Sequence, residues 1–351
     1  MTRKKYIFIL FSLGLSIFFV RGQQIANYVQ NGSFEEKWNC TIPLLNSVKH
    51  WRSIDSTMSA DVAFYSTCFP NVPYSLTFQW PRTGNNFCYG AFLCQPPQCQ
   101  PQNRGYLRNR LKANLQSGKT YCVKFYVSIG NPSSYGIDGF AAHFSDNSLD
   151  TITTCCVPLP YLVPQVQNPT GNIISDTLNW TLVTGTFVAT GNEKFMVIGN
   201  FKTDAATTKT LILPSSLPFV AADVGIDDVS CIDINLPAFA GPDAFCIPGN
   251  SVYIGRPQDV GIDEACMWFK LPNMTNAIDT AAGIWVTPTT PTSTYIVKQD
   301  ICGVIKYDTV VVYQSGVGFN DLQMYSDNIN LSPNPTSDNL NISFTQGISL
   351  S

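Results

Sequence analysis

The chain has 351 residues, 12 cysteines and a net charge of -3, and 13% of its residues are charged. An ordinary globular protein has roughly 25% charged residues, so this composition is typical of an exported β protein rich in uncharged polar side chains. The few Lys and Arg residues are scattered and form no basic stripe, which argues against nucleic acid as a partner.

The amino terminus has the layout of a secretory signal peptide. Basic residues at 3–5 precede an apolar run over 6–20, and small Gly22 precedes polar Gln23. A membrane anchor is the alternative, but the run is shorter than the roughly 20 apolar residues that a span needs. Residues 1–22 are therefore predicted to be cleaved, and no membrane span is expected after cleavage.

Most predicted elements of the next segment are short strands separated by turns. Between 121 and 129, apolar residues alternate with Cys122, Lys124, Tyr126 and Ser128, the period-two pattern of a strand with one buried face. Helical periodicity is almost absent, although residues 107–115 could form one or two turns. Further strands are predicted at 75–80, 140–145, 180–190, 194–201 and 224–232. This pattern predicts an all-β sandwich over residues 23–235.

A boundary is predicted where Pro and small residues follow a closing strand, at 235–242. Beyond it the strands become shorter and richer in Thr and Val, which predicts a smaller immunoglobulin-like sandwich over 236–315. Its strands are predicted at 251–254, 266–269, 283–286, 293–299 and 307–313. A linker over 316–327 follows.

The ends of the first domain carry a resemblance. Residues 31–35 read Asn-Gly-Ser-Phe-Glu, and residues 225–229 read Gly-Ile-Asp-Asp-Val. This pairing resembles galactose-binding-like jelly rolls, which include many carbohydrate-binding modules. The resemblance implies a structural calcium ion with Glu35 and Asp228 as ligands, since Ca²⁺ takes hard oxygen ligands. The alternative is that Asn-Gly makes a turn and the Asp pair caps a strand end.

The bodies of both domains carry a second resemblance. The stretch 134–145, Ser-Tyr-Gly-Ile-Asp-Gly-Phe-Ala-Ala-His-Phe-Ser, resembles a jelly-roll domain of gliding-associated surface proteins and of cargo of the bacterial type IX secretion system. The second domain resembles the usual companion of that domain, through residues 240–243, 260–268 and 294–297. Neither resemblance implies a particular ligand.

Cysteines are expected to form disulfides, because an exported chain passes through an oxidising compartment and no Cys-x-x-Cys zinc knuckle is present. Eight precede residue 200 and four follow, which permits closure within each domain, but spacing leaves the pairing open. Residues 266–268, Cys-Met-Trp, look like a sandwich strand with a half-cystine beside a core Trp. That resemblance implies a bridge between Cys266 and Cys302, with Cys231 and Cys246 closing the interdomain linker.

Aromatic side chains are the predicted glycan contacts, because flat rings stack on the apolar faces of sugars. Trp51, Trp80 and Tyr89 are the candidates, and the long segment 81–104 is the expected wall of such a site. Core packing is the alternative for each ring.

Enzyme motifs are mostly missing from the sequence. Only two histidines occur, and no Gly-x-Ser-x-Gly elbow, His-Glu-x-x-His helix or phosphate loop is present. A glycosidase needs only two carboxyl groups, and four acidic residues are available, at Glu35, Asp138, Asp227 and Asp228. Their places in the jelly-roll frame explain them more simply, so the chain is predicted to be non-catalytic.

The carboxy-terminal stretch reads Leu331-Ser332-Pro333-Asn334-Pro335, followed by polar residues and an alternating strand. It resembles the opening of a type IX sorting domain, which implies the type IX secretion machinery as a partner. A proline turn between two strands is the alternative. Because such domains usually run through several more strands, the domain over 328–351 is expected to be cut short.

These observations predict a secreted or cell-surface protein that acts in adhesion or binds a polysaccharide or surface glycan. A glycan-degrading enzyme or its targeting subunit is one alternative. A purely structural envelope protein is the other.

Overall fold

The computed structural model describes residues 24–39, 45–54, 62–68, 79–96, 99, 103–146, 157–213, 220–314, 329–332 and 341–344. The predicted signal peptide, the predicted linker and the three residues Pro333, Asn334 and Pro335 lie outside these ranges.

Strands dominate the described residues, which contain two short 3-10 helices (Leu45–Ser47 and Asp263–Ala265) and no α-helix. The predicted all-β fold is confirmed. The strands are β1 (Trp51–Ser53), β2 (Val62–Ser66), β3 (Asn86–Cys94), β4 (Tyr106–Arg110), β5 (Thr120–Ile129), β6 (Tyr135–Ile137), β7 (Ala141–Ser145), β8 (Val166–Gln167), β9 (Thr181–Val188), β10 (Phe195–Gly199), β11 (Lys209–Leu211), β12 (Ala221–Asp233), β13 (Ala244–Cys246), β14 (Val252–Gly255), β15 (Cys266–Lys270), β16 (Gly283–Val286), β17 (Thr292–Ile301), β18 (Val304–Gln314), β19 (Ile329–Ser332) and β20 (Asn341–Phe344).

Two five-stranded antiparallel sheets form the first sandwich. Their strand orders are β1-β4-β10-β7-β8 and β2-β3-β12-β5-β9. The inward faces share one apolar core, in which Phe64, Phe125, Val127, Phe144 and Met196 are buried. Alternation along β5 sends Phe125 and Val127 inward and leaves Tyr126 half-buried on the outer face, as the sequence pattern predicted.

Two elements of the first domain differ from expectation. Residues 107–115 do not begin a helix, because 106–110 form β4, which pairs with β1 and β10. The segment 81–104 is not one long loop, because it contains β3, a nine-residue strand between β2 and β12. β3 is buried or half-buried along its whole length, so its sequence lacks the polar alternation of a half-exposed strand.

The second sandwich packs a four-stranded sheet, β13-β18-β17-β15, and a two-stranded sheet, β14-β16, around a second core. Trp268 on β15 is fully buried there, and its indole Nε1 donates to the carbonyl of Ala281 at 2.8 Å. Ile254 and Ile284, from the smaller sheet, belong to the same apolar cluster.

The second core also includes residues of the first domain. Cys122 on β5, Ile232 on β12 and Leu236 beyond it are buried in that cluster. Polar contacts add to the junction, since Lys112 pairs with Asp259 at 3.3 Å. The two domains are therefore joined by packing as well as by chain connection.

The predicted disulfide pairing is wrong. Cys302 bonds Cys122 of the first domain, while Cys231, Cys246 and Cys266 are buried free thiols. The register of β15 with β17 explains this, because Cys266 lies opposite Gln299. Cys302 follows the end of β17, where the turn to β18 reaches β5 of the other domain.

Other disulfides lie within the first domain. Cys94 bonds Cys99, and Cys68 is also disulfide-bonded. No helix among the described residues is long and apolar enough to cross a membrane.

The carboxy-terminal stretch contributes one hairpin. β19 pairs with β20 in antiparallel register, with Leu331 opposite Ile342. The hairpin contains the first residue of the predicted sorting motif and most of the strand predicted to follow it, and the sorting role stays a prediction.

The disulfide between Cys122 and Cys302 closes a loop of 180 residues in the unfolded chain. Replacing both cysteines with Ser should lower the free energy of unfolding by about 2 to 5 kcal/mol, because the unfolded ensemble gains freedom. Urea titration of the variant and the oxidised wild type measures this. Non-reducing peptide mapping that joins Cys266 to Cys302 would contradict the pairing.

Candidate functional site

The outer face of the sheet containing β3 is unusually aromatic. Tyr65 and Phe87 stack across β2 and β3 with ring centroids 4.5 Å apart, and Trp180 meets Phe87 edge-on at 5.5 Å. Gly225 makes room for this cluster, since a Cβ there would lie 3.1 Å from the Trp180 ring. This part of the outer face of the sheet is therefore apolar, and its rings pack against one another.

The segment 79–86 crosses this outer face and carries Trp80. The Gln79 amide donates to Oγ of Ser128 at 2.7 Å and to the carbonyl of Leu178 at 3.1 Å. The Trp80 backbone is fixed on both sides: its N–H donates to Gln79 Oε1, and its carbonyl accepts from Trp180 Nε1 at 3.0 Å. The indole of Trp80 nevertheless stays 58% exposed.

Trp80, Leu178 and Trp180 together form what we call the Trp80 platform. Leu178 is 75% exposed, and Trp180 is half-buried between Phe87 and solvent. Asp176 fixes the turn beside the platform by accepting from the backbone N–H groups of Leu178 and Asn179. The result is three exposed or half-buried apolar side chains on a hydrogen-bonded backbone, with the carboxylate of Asp176 and the amide of Asn179 beside them.

Two adjacent carboxylates hold the other side of the segment. A register irregularity in β12 follows Asp227, and Asp228 there has a left-handed backbone with φ of 50°. Asp227 Oδ2 accepts from the Arg82 backbone N–H at 2.8 Å. Asp228 accepts from the Arg82 guanidinium and from the Thr83 hydroxyl, each at 2.6 Å.

Glu35 holds the end of the same segment. Its carboxylate accepts from the backbone N–H groups of Asn85 and Asn86 at 2.8 and 2.9 Å, and from the Asn86 side chain at 2.7 Å. Gly84 approaches so closely that a Cβ there would collide with this carboxylate. The predicted calcium ligands therefore both bind the segment 82–86.

A calcium ion fits these residues poorly. Each carboxylate oxygen of Glu35 and Asp228 already accepts a hydrogen bond from a protein donor, and Arg82 places a positive charge on Asp228. Within the described ranges, no cluster of three or more His, Cys, Asp or Glu side chains is arranged to hold a metal.

Burial and neighbouring charges shift the pKa values of the acid–base groups beneath the segment 79–86. Burial, together with the charge of Asp228, raises the pKa of Asp227 well above its ordinary value. Burial and the hydrogen bond with Glu264 raise the pKa of Tyr126 to about 12. Burial lowers the pKa of Arg82, but its bond with Asp228 and the charge of Glu264 outweigh this and raise it.

The structure separates the three predicted glycan contacts. Trp51 is buried in the first core, because it lies on the inward face of β1 against Phe34 at 4.8 Å, and its Nε1 donates to the Asn31 carbonyl. That prediction is wrong. Tyr89 is half-buried within β3, and Trp80 is exposed.

Trp180 and Leu178 were not predicted to belong to the site. The sequence pattern predicts a strand at Trp180, but Trp180 precedes β9 and its ring meets Phe87 on the outer face. The only sequence signal was Leu-Asn-Trp at 178–180, apolar residues in a turn. Their partners, Gln79 and Trp80, lie about a hundred positions earlier, at separations of 99 and 100.

Apart from the platform, a concavity of about 250 Å³ opens where β7 begins and β10 ends, and its lining includes Phe140 and Phe201. Asp138 also lines it, and this residue is fully buried and bonded to Lys202 at 2.9 Å. Burial raises the pKa of Asp138, but bonds from Gly171, Lys202 and Thr208 outweigh this and lower it. Asp138 is thus an ionised structural carboxylate, which does not suit a general acid.

Comparison with known proteins gives distant likenesses. No family model matches the chain, and no curated protein is significantly similar in sequence. Among solved structures, the tandem CBM22-1 and CBM22-2 domains of Xyn10C from Paenibacillus barcinonensis are 8% identical, with a TM-score of 0.33, covering 84% of this chain and 87% of that one.

Two further solved structures match part of the chain. The K2 cleaved adhesin domain of Lys-gingipain is 12% identical, with a TM-score of 0.31, covering 57% of this chain and 95% of that one. TmCBM61 in complex with beta-1,4-galactotriose is 14% identical, with a TM-score of 0.26, covering 59% and 98%. Likeness at this level does not establish what this chain binds.

Because the pKa of Asp227 is raised, the free energy of unfolding should depend on pH. The folded state holds a proton that the unfolded state releases near the ordinary value of 3.8, so the stabilising contribution is full below that pH. This contribution is lost as the pH rises through the raised pKa that Asp227 has in the folded state. Relative to Asp227→Asn, which does not titrate, the wild type should lose stability above about pH 4. Urea titrations over a pH series test this, and parallel curves for the two proteins would contradict it.

Proposed function

We propose that this chain is a non-catalytic secreted or cell-surface protein whose first sandwich binds a glycan through the Trp80 platform. The observation that carries the proposal is an indole 58% exposed on a backbone bonded on both sides. A flat ring stacks on the apolar face of a sugar, and a backbone that is already fixed has less conformational entropy to lose on binding. The margin of the platform, at Asn179, offers polar groups to sugar hydroxyls.

Export to an oxidising location is the second part of the proposal. The disulfide between Cys122 and Cys302 joins two domains, and such bonds persist mainly outside the reducing cytosol. The basic and apolar amino-terminal pattern and the Leu331 to Pro335 motif support a secretory signal and the type IX route.

The enzymatic alternative finds less support among the carboxyl groups singled out from the sequence. Asp138 and Asp227 are fully buried, and Glu35 and Asp228 are bonded to the segment 82–86. A purely structural envelope role is the other alternative, and it predicts no glycan binding at all.

The central prediction concerns Trp80. On a glycan array the mature chain should bind at least one glycan class, and Trp80→Ala should weaken that binding at least about tenfold, since an exposed aromatic anchor contributes about 1.4 kcal/mol or more. Calorimetric titration with the identified glycan measures the change.

Trp285→Ala is the matched control, because Trp285 is 71% exposed but lies on β16 of the second sandwich. Both variants should keep the free energy of unfolding within about 0.5 kcal/mol of the wild type, as exposed positions generally do. Equal glycan affinity for Trp80→Ala and wild type would show that the Trp80 platform is not the binding site. Hydrolysis of any glycan on the array would favour the enzymatic alternative.

Export has its own test. A reporter fused upstream of a sorting domain that contains residues 328–351 should reach the cell surface, and replacing Pro333, Asn334 and Pro335 with Ala should retain it in the periplasm. Ser337→Ala is the control inside the same polar stretch. Surface delivery of the triple variant at the control level would show that this motif is no export signal.

A further inference from the structure

The guanidinium of Arg82 lies at the junction of the two sandwiches, between a carboxylate from each. Its Nη1 bonds Oδ2 of Asp228 at 2.6 Å and also contacts Oε1 of Glu264. The Tyr126 ring lies 3.4 Å from Cζ of Arg82, and its hydroxyl donates to Oε2 of Glu264 at 2.9 Å. One nitrogen of a permanently charged group therefore faces two carboxylates from different domains.

This convergence resembles part of a calcium shell. Calcium takes carboxylate oxygens at about 2.3 to 2.6 Å. Here Nη1 of Arg82 occupies the point that the oxygens of Asp228 and Glu264 share. The second oxygen of Asp228 is bonded to Thr83, and Glu35 is bonded to Asn85 and Asn86, so these carboxylates have protein donors instead of a shared ion.

We propose that Arg82 is the built-in counter-ion of this fold and neutralises Asp228, one of the two ligands that the jelly-roll resemblance assigned to calcium. Asp228 and Glu264 bring two carboxylates to the same nitrogen of Arg82, and their repulsion needs a nearby cation. A guanidinium supplies that charge and cannot be removed by a chelator. The wild-type fold is therefore insensitive to calcium.

A latent metal site follows from the same geometry. Without the guanidinium, Oδ2 of Asp228 and Oε1 of Glu264 still converge from two domains on one point, now open to solvent ions. A divalent cation of calcium's size and preference for oxygen fits there. Arg82→Ala should therefore gain a dependence on calcium that the wild type lacks.

Calorimetry in chelator and in excess calcium tests both statements. The wild-type melting temperature should be the same in the two buffers. Arg82→Ala should melt about 5 °C or more below wild type in chelator, because two carboxylates lose their partner, and should recover part of that loss in calcium. The double variant Arg82→Ala with Asp228→Asn should not recover.

Arg104→Ala is the matched control. Arg104 is a buried arginine, and within the part of the chain that the structure describes it is bonded to one carboxylate, Asp204, at 2.7 Å. This variant should be destabilised without any response to calcium, which separates loss of a cation from creation of a metal site. Arg82→Lys, which keeps the charge, should stay insensitive to calcium.

Two results would overturn the proposal. One is a wild-type melting temperature that rises with calcium and loses that rise in Asp228→Asn, because calcium would then hold the place assigned to Arg82. The other is a calcium-induced rise in melting temperature that is no larger for Arg82→Ala than for Arg104→Ala. If Arg82→Ala does not fold in chelator, its refolding yield from urea is measured with and without calcium. A higher yield with calcium supports the proposal, and equal yields contradict it. Glycan binding plays no part in these measurements.

Discussion

The pair of carboxylates at the irregularity in β12 is the constraint on which the rest of the site depends. Asp227 and Asp228 are buried, and both accept hydrogen bonds from residues 82 and 83. Burying two adjacent acids is unfavourable unless donors and a cation compensate. The segment 79–86 supplies both, so its path across the aromatic face is fixed by the need to satisfy these acids, and Trp80 is placed as a consequence.

The same charges tie the two sandwiches together. Arg82 reaches Glu264 of the second domain, and Tyr126 donates to that carboxylate. Cys122, also on β5, is bonded to Cys302. Independent domains usually meet through small polar contacts and move relative to one another. Here a covalent bond, a shared apolar cluster and an ion pair with low exposure act together, which opposes such motion.

Sequence patterns located the elements whose two faces differ. β5 was predicted because apolar and polar residues alternate along it. β3 was missed because a strand covered on both faces has no such alternation. Disulfide pairing failed for another reason: bond partners 180 residues apart are chosen by domain packing, which spacing does not encode.

The candidate site was predictable only in part, and Arg82 shows why. An isolated Arg in a turn has no sequence signature, and its partner Asp228 lies 146 positions away. The acids that the jelly-roll resemblance assigned to calcium both bind the segment 82–86, and the identity of their counter-ion depends on which chain segment crosses the sheet. A calcium site and an arginine site draw on the same acids, so acidic residues alone do not distinguish them. The difference lies in whether a donor-rich segment reaches the acids, and residues 82–86 do so in this chain.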